Sequence, residues 1–162
     1  TSVAIKDSLE HIGINEILFK WPNDIYCHQK KISGIILESI INKFDKKYLI
    51  IGLGINFFSS PNIKNYKTTH ISKYINNIKI EEYLEVFINY FLSYFNEYVL
   101  KNNINFIEKY KRSLMFLNEN VKIKVNEKKV INGVFKGINN DGSLILQQGD
   151  KEISIYSGQI IL

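Results

Sequence analysis

The spacing of the apolar residues changes twice along this chain, and these changes restrict its fold. Runs rich in β-branched and aromatic residues, separated by turn residues, are typical of strands and predict four of them early in the chain. The predicted strands span 17–21, 25–27, 32–41 and 48–56. From Ile80 to Leu100 apolar residues recur every three or four positions, the period of an amphipathic helix. Beyond Asn118 short alternating segments return, so the pattern predicts an α+β fold.

Three helices are expected around the first group of strands. The Ser2 side chain is placed to cap a helix over 2–11, and Gly13 ends it. A shorter helix is predicted over 105–114. The long helix over 80–100 carries an aromatic stripe that we expect to pack on the sheet. The stripe consists of Leu84, Phe87, Ile88, Phe91, Leu92, Phe95, Tyr98 and Val99.

The last part of the chain predicts a small β-barrel. Short alternating strands separated by turn residues are typical of an SH3-like barrel. These strands are predicted at 121–125, 130–138, 144–147, 152–156 and 159–162. We therefore expect two domains, 1–117 and 118–162, which dock closely because no flexible linker separates them.

Composition excludes several classes of protein. Apolar residues make up 45% of the 162 residues, but no apolar run approaches the roughly 18 residues that span a bilayer. A single cysteine forms no internal disulfide, and 3 histidines offer no recognisable zinc spacing. A cytoplasmic location and no resident metal fit best. The net charge of +5 is scattered along the chain, so it does not select nucleic acid as a partner.

The segment Lys20-Trp21-Pro22-Asn23-Asp24 combines a fixed turn with polar side chains. Pro22 fixes its own backbone and favours an extended Trp21, so Asn23 and Asp24 are presented where the first strand ends. A simple Asn-Asp turn without a ligand explains the same residues and is a common use of them.

A lysine and several glycines follow on the next predicted strands. Lys30 and Lys31 both begin a strand, and alternation predicts that Lys31 shares a face with Ser33 and Ile35 unless a bulge intervenes. Gly34 interrupts an apolar strand, which marks a bulge, a close backbone contact or a packing glycine.

A second motif, Gly52-Leu53-Gly54-Ile55-Asn56, follows the next apolar run. It lacks the third glycine and the following helix of a dinucleotide fingerprint, so a nicotinamide site is not supported.

Taken together, the two motifs resemble the catalytic domain of biotin–protein ligases. That family joins biotin to ATP as biotinyl-adenylate and then passes the biotinyl group to a lysine of a carrier protein. The resemblance implies a class II synthetase-like mixed sheet with packed helices, followed by the SH3-like barrel. ATP and biotin are the implied substrates, and Mg²⁺ is expected to enter with ATP.

The resemblance also implies roles for individual residues. A lysine three residues before the glycine selects Lys31 over Lys30 as the catalytic cation and biotin contact, and Gly34 is expected to lie against biotin. Asp24 is expected near the arriving carrier lysine, where it orients the amine or removes its proton. The remaining residues are expected to bind ATP or the adenylate; they are Asn23, Gly52, Gly54 and Asn56.

Three expectations complete the interpretation. The family's Arg/Gly-rich loop, which closes over biotin, is absent from this sequence, so we expect a fragment that is inactive alone. The carrier is expected to be the biotin-carrier subunit of acetyl-CoA carboxylase, while a homodimer is left open. A non-enzymatic binding module and a lipoate ligase relative are the alternatives. No residue supports a DNA-binding domain.

Overall fold

The computed structural model describes residues 1–41, 43–101 and 105–161. Its helices are α1 (Ser2–His11), α2 (Ile80–Lys101) and α3 (Asn105–Arg112), and a 3₁₀ turn spans Ile71–Lys73. Its strands are β1 (Ile17–Lys20), β2 (Asp24–Cys27), β3 (Lys30–Ile41), β4 (Lys47–Ile55), β5 (Asn120–Asn126), β6 (Lys129–Ile138), β7 (Leu144–Gln148), β8 (Lys151–Ile155) and β9 (Gln159–Ile161). The predicted α+β character and the position of each predicted strand are confirmed within these residues. Leu162, the predicted end of the last strand, lies outside them.

The strands form two sheets. The first has the order β1-β2-β3-β4 and the second the order β8-β7-β6-β5-β9. In the described part of the chain every pairing between these strands is antiparallel, so the expected mixed sheet is not found there. Among the described residues, parallel pairing occurs only as isolated bridges, which join Phe19 to Leu114 and Lys31 to Thr68.

A tight hairpin joins β2 to β3 beside the candidate site. Its two turn residues, His28 and Gln29, have φ values of 45° and 60°. Positive φ at both positions is the geometry of a type I′ turn, whose twist matches that of the flanking strands. The turn therefore fixes where Lys30 and Lys31 enter β3.

The N-cap of the first helix lies one residue earlier than predicted. Thr1 is the N-cap, its carbonyl accepts the Ile5 amide at 3.0 Å, and no side chain caps the helix. The prediction that Ser2 caps α1 is therefore wrong, because Ser2 already has helical backbone. Gly13 follows the helix at φ 93°, which confirms the predicted end.

The predicted packing of the long helix is wrong. Tyr83 and Phe87 of α2 are buried, and the Tyr83 hydroxyl accepts a hydrogen bond from Ser8 of α1 at 3.1 Å. Leu92 and Phe95, in contrast, are about half exposed, at 48% and 51%. The helix thus packs mainly on α1 through its tyrosine side, because a helical period identifies an apolar stripe but not its partner. No helix among the described residues is both long and apolar enough to cross a membrane.

The second sheet is held to the first by hydrogen bonds. The Trp21 indole donates to the Gly142 carbonyl at 3.0 Å, which joins the β1–β2 turn to the β6–β7 turn. The Met115 amide donates to the Phe19 carbonyl at 2.8 Å. Within the described residues no pairing of β8 with β9 closes this sheet, so the SH3-like barrel stays a prediction.

Replacing Gly133 with alanine is expected to lower the free energy of unfolding by about 1–3 kcal/mol. A Cβ atom on this β6 glycine would lie 2.5 Å from the Gln147 carbonyl oxygen and 2.7 Å from Leu146 Cγ. Gly52→Ala is the matched control, because its Cβ would meet Ile36 at an ordinary 3.7 Å. Urea unfolding measures both variants, and equal stability of the two would contradict the close approach of β6 and β7.

Candidate ligand-binding site on the first sheet

One row of residues crosses the whole first sheet. The strand register pairs Lys20 with Asp24, Asp24 with Gly34, and Gly34 with Gly54. Directly opposed residues of antiparallel strands point to the same face, so all four positions share one side of the sheet. A Cβ at Gly54 would meet nothing nearer than the Gly34 carbonyl oxygen at 3.8 Å. Gly34 and Gly54 therefore form a surface of backbone without side chains, the glycine floor.

A β-bulge brings Lys31 to this face. The β2–β3 register shifts between Ile25 and Tyr26, so that Ile25 pairs with Ser33 while Tyr26 pairs with Lys31. The extra residue on β3 reverses the alternation on one side of the bulge. The bulge that the prediction named as its exception is therefore present, and Lys31 does not share a face with Ser33 and Ile35. Ser33 and Ile35 are buried on the opposite face.

The Lys31 ammonium is held between a carboxylate and the glycine floor. Its Nζ lies 2.5 Å from Asp24 Oδ1, and both side chains are less than one quarter exposed. A Cβ at Gly34 would lie 3.5 Å from the same Nζ. An ion pair at this depth is less screened by solvent than a surface pair. The structure thus brings together Asp24, Lys31 and Gly34, as the motif predicts.

A loop segment covers the other side of Lys31. The Lys31 amide donates to the Lys67 carbonyl at 2.8 Å, and the Thr69 amide donates to the Lys31 carbonyl at 2.9 Å. These bonds place the Tyr66 ring 5.4 Å from the Lys31 ammonium, which is within cation–π range. Sequence analysis missed Tyr66, because it lies in a polar segment with no periodicity. Together with Lys30, the same loop lines a cavity of about 490 Å³.

Two asparagines of the motifs fasten backbone segments. Asn23 Nδ2 donates to the Ile35 carbonyl at 2.6 Å, which ties the motif turn to β3. Asn56 Nδ2 donates to the Thr69 carbonyl at 2.9 Å and lies 3.5 Å from the Lys31 carbonyl. Since both amide donors of Asn56 are used in this way, its oxygen is the side-chain atom left to contact a ligand.

The first residue of the motif, Lys20, is buried on the same face. Its Nζ lies 5.8 Å from the centroid of the Tyr26 ring, and the residue is 5% exposed. Burial lowers the pKa of Lys20, with Asp24 raising it and Lys31 lowering it. Burial also raises the pKa of Tyr26 to about 12, with Asp24 and Tyr66 adding to the shift. Sequence analysis assigned no role to either residue.

The described residues do not form a multidentate metal site. They contain no group of three or more His, Cys, Asp or Glu side chains placed to hold a metal ion. Asp24, the carboxylate of the row, is already paired with Lys31. These side chains therefore do not fit a protein-held Mg²⁺ ion, and we derive no step through one.

Two family models match the chain, one at each end. The model of the Biotin/lipoate A/B protein ligase family matches residues 2–56, which contain α1 and the entire first sheet. The model of the Biotin protein ligase C terminal domain matches residues 116–162. Two segments of the chain are therefore similar to biotin protein ligases, and residues 57–115 lie between them. The family match therefore includes every residue of the row.

The chain is also similar to ligases from bacteria and plants. It is 22% identical over 149 residues to Bifunctional ligase/repressor BirA of Escherichia coli (strain K12), covering 90% of this chain and 46% of that protein. It is 27% identical over 150 residues to Biotin--protein ligase 2 of Arabidopsis thaliana, covering 88% and 45%. The chain thus spans about half the length of the curated relatives it matches.

A solved structure supports the same fold. Biotin protein ligase from Aquifex aeolicus in complex with biotin and ATP matches with a TM-score of 0.80 and 25% identity, covering 98% of this chain and 67% of that chain. Both sheets of this chain therefore have counterparts in a structure solved with biotin and ATP.

A difference titration of Tyr26 tests the electrostatics of this face. Burial and the Asp24 charge oppose the phenolate, so the folded protein holds this proton up to about pH 12, above the value of 10.0 for a free phenol. Because the unfolded chain loses the proton first, stability falls as pH rises from about 10 to 12. Subtracting the ultraviolet pH titration of Tyr26→Phe from that of the wild type isolates the Tyr26 phenol. A transition near pH 10 would contradict the described burial.

Proposed function

We propose that this protein is a ligase that activates biotin with ATP as biotinyl-5′-AMP and transfers the biotinyl group to a lysine of a carrier protein. The observation that carries the proposal is the Lys31 ammonium, which lies beside the Gly34 floor and is held by Asp24. The two family-model matches and the similarity to the Aquifex aeolicus complex with biotin and ATP support it.

Lys31 meets the electrostatic requirement of the first step. A carboxylate oxygen of biotin attacks the α-phosphorus of ATP, and pyrophosphate leaves with the electrons of the broken P–O bond. Two anions approach each other, and negative charge grows on the phosphoryl oxygens. An ammonium about 4 Å away lowers this barrier by up to about 4 kcal/mol at an effective dielectric near 20, or roughly three powers of ten in rate. Asp24 fixes the position of that ammonium.

Asp24 is assigned to the second step. The carrier amine attacks the carbonyl carbon of the mixed anhydride, an amide bond forms, and AMP leaves. Because Asp24 Oδ1 is held by Lys31, Oδ2 is the atom left to orient the amine or accept its proton.

The nucleotide is assigned to the glycine floor and its edges. Gly52 and Gly54 provide backbone without side chains, and the Asn56 oxygen and the Asn23 turn border the same strands. The reactive anhydride must also be shielded from water, which would hydrolyse it. That this chain alone does not catalyse biotin transfer stays a prediction. Mg²⁺ bound to the ATP phosphates likewise stays a prediction.

The remaining partners are proposals of the same kind. The carrier is a biotin-carrier domain, with the acetyl-CoA carboxylase subunit as the expected one. We propose a cytoplasmic location and two domains at 1–117 and 118–162. We also propose that the second sheet closes into an SH3-like barrel. A homodimer through the β4 edge of the first sheet stays open, and the molecular mass in solution tests it.

Lipoate is the second candidate substrate, because the matching family model covers both biotin and lipoate ligases. The two acids differ in their ring systems, whereas the chemistry at the carboxylate is the same. We expect the full-length protein to release pyrophosphate from ATP in the presence of biotin but not of lipoate. Pyrophosphate release that requires lipoate, and does not occur with biotin, would show that lipoate is the substrate instead.

Replacing Lys31 with methionine is expected to reduce biotin-dependent adenylate formation about a thousandfold in the full-length protein, because the cation beside the reacting phosphate is lost. Methionine retains most of the side-chain volume. Lys122→Met on β5 is the matched control, because Lys122 is exposed on the second sheet and should retain the wild-type rate. Single-turnover measurement of biotinyl-AMP gives the rate, and an unchanged rate in Lys31→Met refutes the assigned role.

A further inference from the structure

Tyr66 lies against the ammonium of Lys31, on a loop to which the proposed function assigns no role. The centroid of its ring is 5.4 Å from Lys31 Nζ, and the residue is partly buried. Asp24 Oδ1 lies 2.5 Å from the same nitrogen. The ammonium is thus contacted by a carboxylate from β2 and by an aromatic ring from the loop.

The backbone of Lys31 itself positions this ring. The Lys31 amide donates to the Lys67 carbonyl at 2.8 Å, and the Lys31 carbonyl accepts the Thr69 amide at 2.9 Å. These two bonds form a short parallel bridge between Lys31 and Thr68. Tyr66 is the second residue before Thr68, so its place along the loop is set by the same residue whose side chain it contacts.

Two side chains hold the loop in this position. Asn56, which follows β4, donates through Nδ2 to the Thr69 carbonyl at 2.9 Å. The Thr68 hydroxyl donates to the Pro61 carbonyl at 2.5 Å, which ties the end of the loop to its beginning. Because Asn56 belongs to the second glycine motif, that motif also determines where the Tyr66 ring lies.

A lysine that acts as an electrostatic catalyst needs such support. Its four-carbon stem is flexible, whereas an ammonium stabilises developing charge best when it is already in place. Asp24 holds the Lys31 ammonium, but its negative charge also offsets the positive charge that the reaction uses. The face of an aromatic ring attracts a cation without carrying a net charge of its own. Tyr66 therefore adds support that leaves the charge of Lys31 intact.

We propose that Tyr66 is a positioning residue, which holds the Lys31 ammonium beside Gly34 through a cation–π contact. The inference rests on the proposed function for the reaction that Lys31 serves. Tyr66 acts through Lys31 and is assigned no contact with either substrate. Its effect is on the rate of adenylate formation and not on the binding of biotin or ATP.

Substitutions of Tyr66 in the full-length protein test this role through single-turnover formation of biotinyl-AMP. Tyr66→Leu is expected to lower the maximal rate about 5- to 30-fold, the kinetic equivalent of a cation–π contact. The half-saturating concentrations of biotin and ATP should not change. Tyr66→Phe keeps the ring and should keep most of the rate. Tyr98→Leu is the matched control, because Tyr98 is 54% exposed on α2.

A wild-type maximal rate in Tyr66→Leu overturns the positioning role. A raised half-saturating concentration of ATP or biotin with an unchanged maximal rate also overturns it, because Tyr66 would then contact the substrate directly.

Fluorinated phenylalanines at position 66 separate the cation–π contact from simple packing. Each fluorine withdraws electron density from the face of the ring and changes its shape little, so the attraction for a cation weakens stepwise. The maximal rate is expected to fall from Tyr66→Phe to the monofluorinated and then to the trifluorinated ring. Equal rates along this series overturn the cation–π contact.

Chemical labelling of Lys31 supplies a readout that does not depend on activity. Without ligand, Tyr66→Leu is expected to raise the rate of reductive methylation of Lys31 several-fold, because the ammonium loses the ring that covers it. Mass spectrometry of peptides measures this rate, with Lys122, exposed on β5, as the internal reference. An unchanged labelling rate at Lys31 overturns the positioning role.

The labelling also separates this inference from the proposed function. Wild-type full-length protein that forms no biotinyl-AMP overturns the proposed function, while the labelling rates still decide whether Tyr66 holds Lys31. Normal biotinyl-AMP formation with equal Lys31 labelling in the wild type and Tyr66→Leu overturns the inference and leaves the proposed function standing.

Discussion

The candidate site depends on the β-bulge between β2 and β3. Regular alternation would send Lys31 into the core beside Ser33 and Ile35, where its charge would be buried without a partner. The register shift at Ile25 and Tyr26 turns Lys31 to the opposite face instead, where Asp24 lies within ion-pair distance. One inserted residue thus determines whether the sheet has a cationic centre, which is why bulges are common beside active sites.

The charges on this face favour ligand binding over stability. Apolar residues of similar volume would remove the desolvation cost of Lys20 and Tyr26 and stabilise the empty protein. The chain instead keeps the buried Lys20 next to the lysine–aspartate pair, together with a Tyr26 hydroxyl that has no hydrogen-bond partner among the described residues. Glycines at 34 and 54 add backbone without side chains at the same level of the sheet, with Lys31 lying against Gly34. Both features have a physical reason if an anionic ligand occupies the row.

Sequence reasoning recovered the elements but not all of their contacts. The strands and the long helix were predictable, because β-branched runs and a helical period are local properties of the chain. The α2 stripe was assigned to the wrong partner, because periodicity does not show what lies opposite; the tyrosine side packs on α1 while Leu92 and Phe95 are half exposed.

The candidate site was likewise predicted only in part. The resemblance placed Asp24, Lys31 and Gly34 together, and the structure brings them together. The face of Lys31 could not be predicted, since a bulge leaves no clear sequence signal. Lys20 and Tyr66 were missed because burial and a loop crossing arise only from the tertiary fold.

A crystal structure of the full-length protein with a stable biotinyl-adenylate analogue is the most direct test of the site. The account predicts that the Lys31 ammonium lies within hydrogen-bond distance of the analogue's phosphate or biotinyl carbonyl, with the ligand against Gly34 and Gly54. Lys31 directed to the Ser33 face, or a ligand bound away from the row, would contradict it.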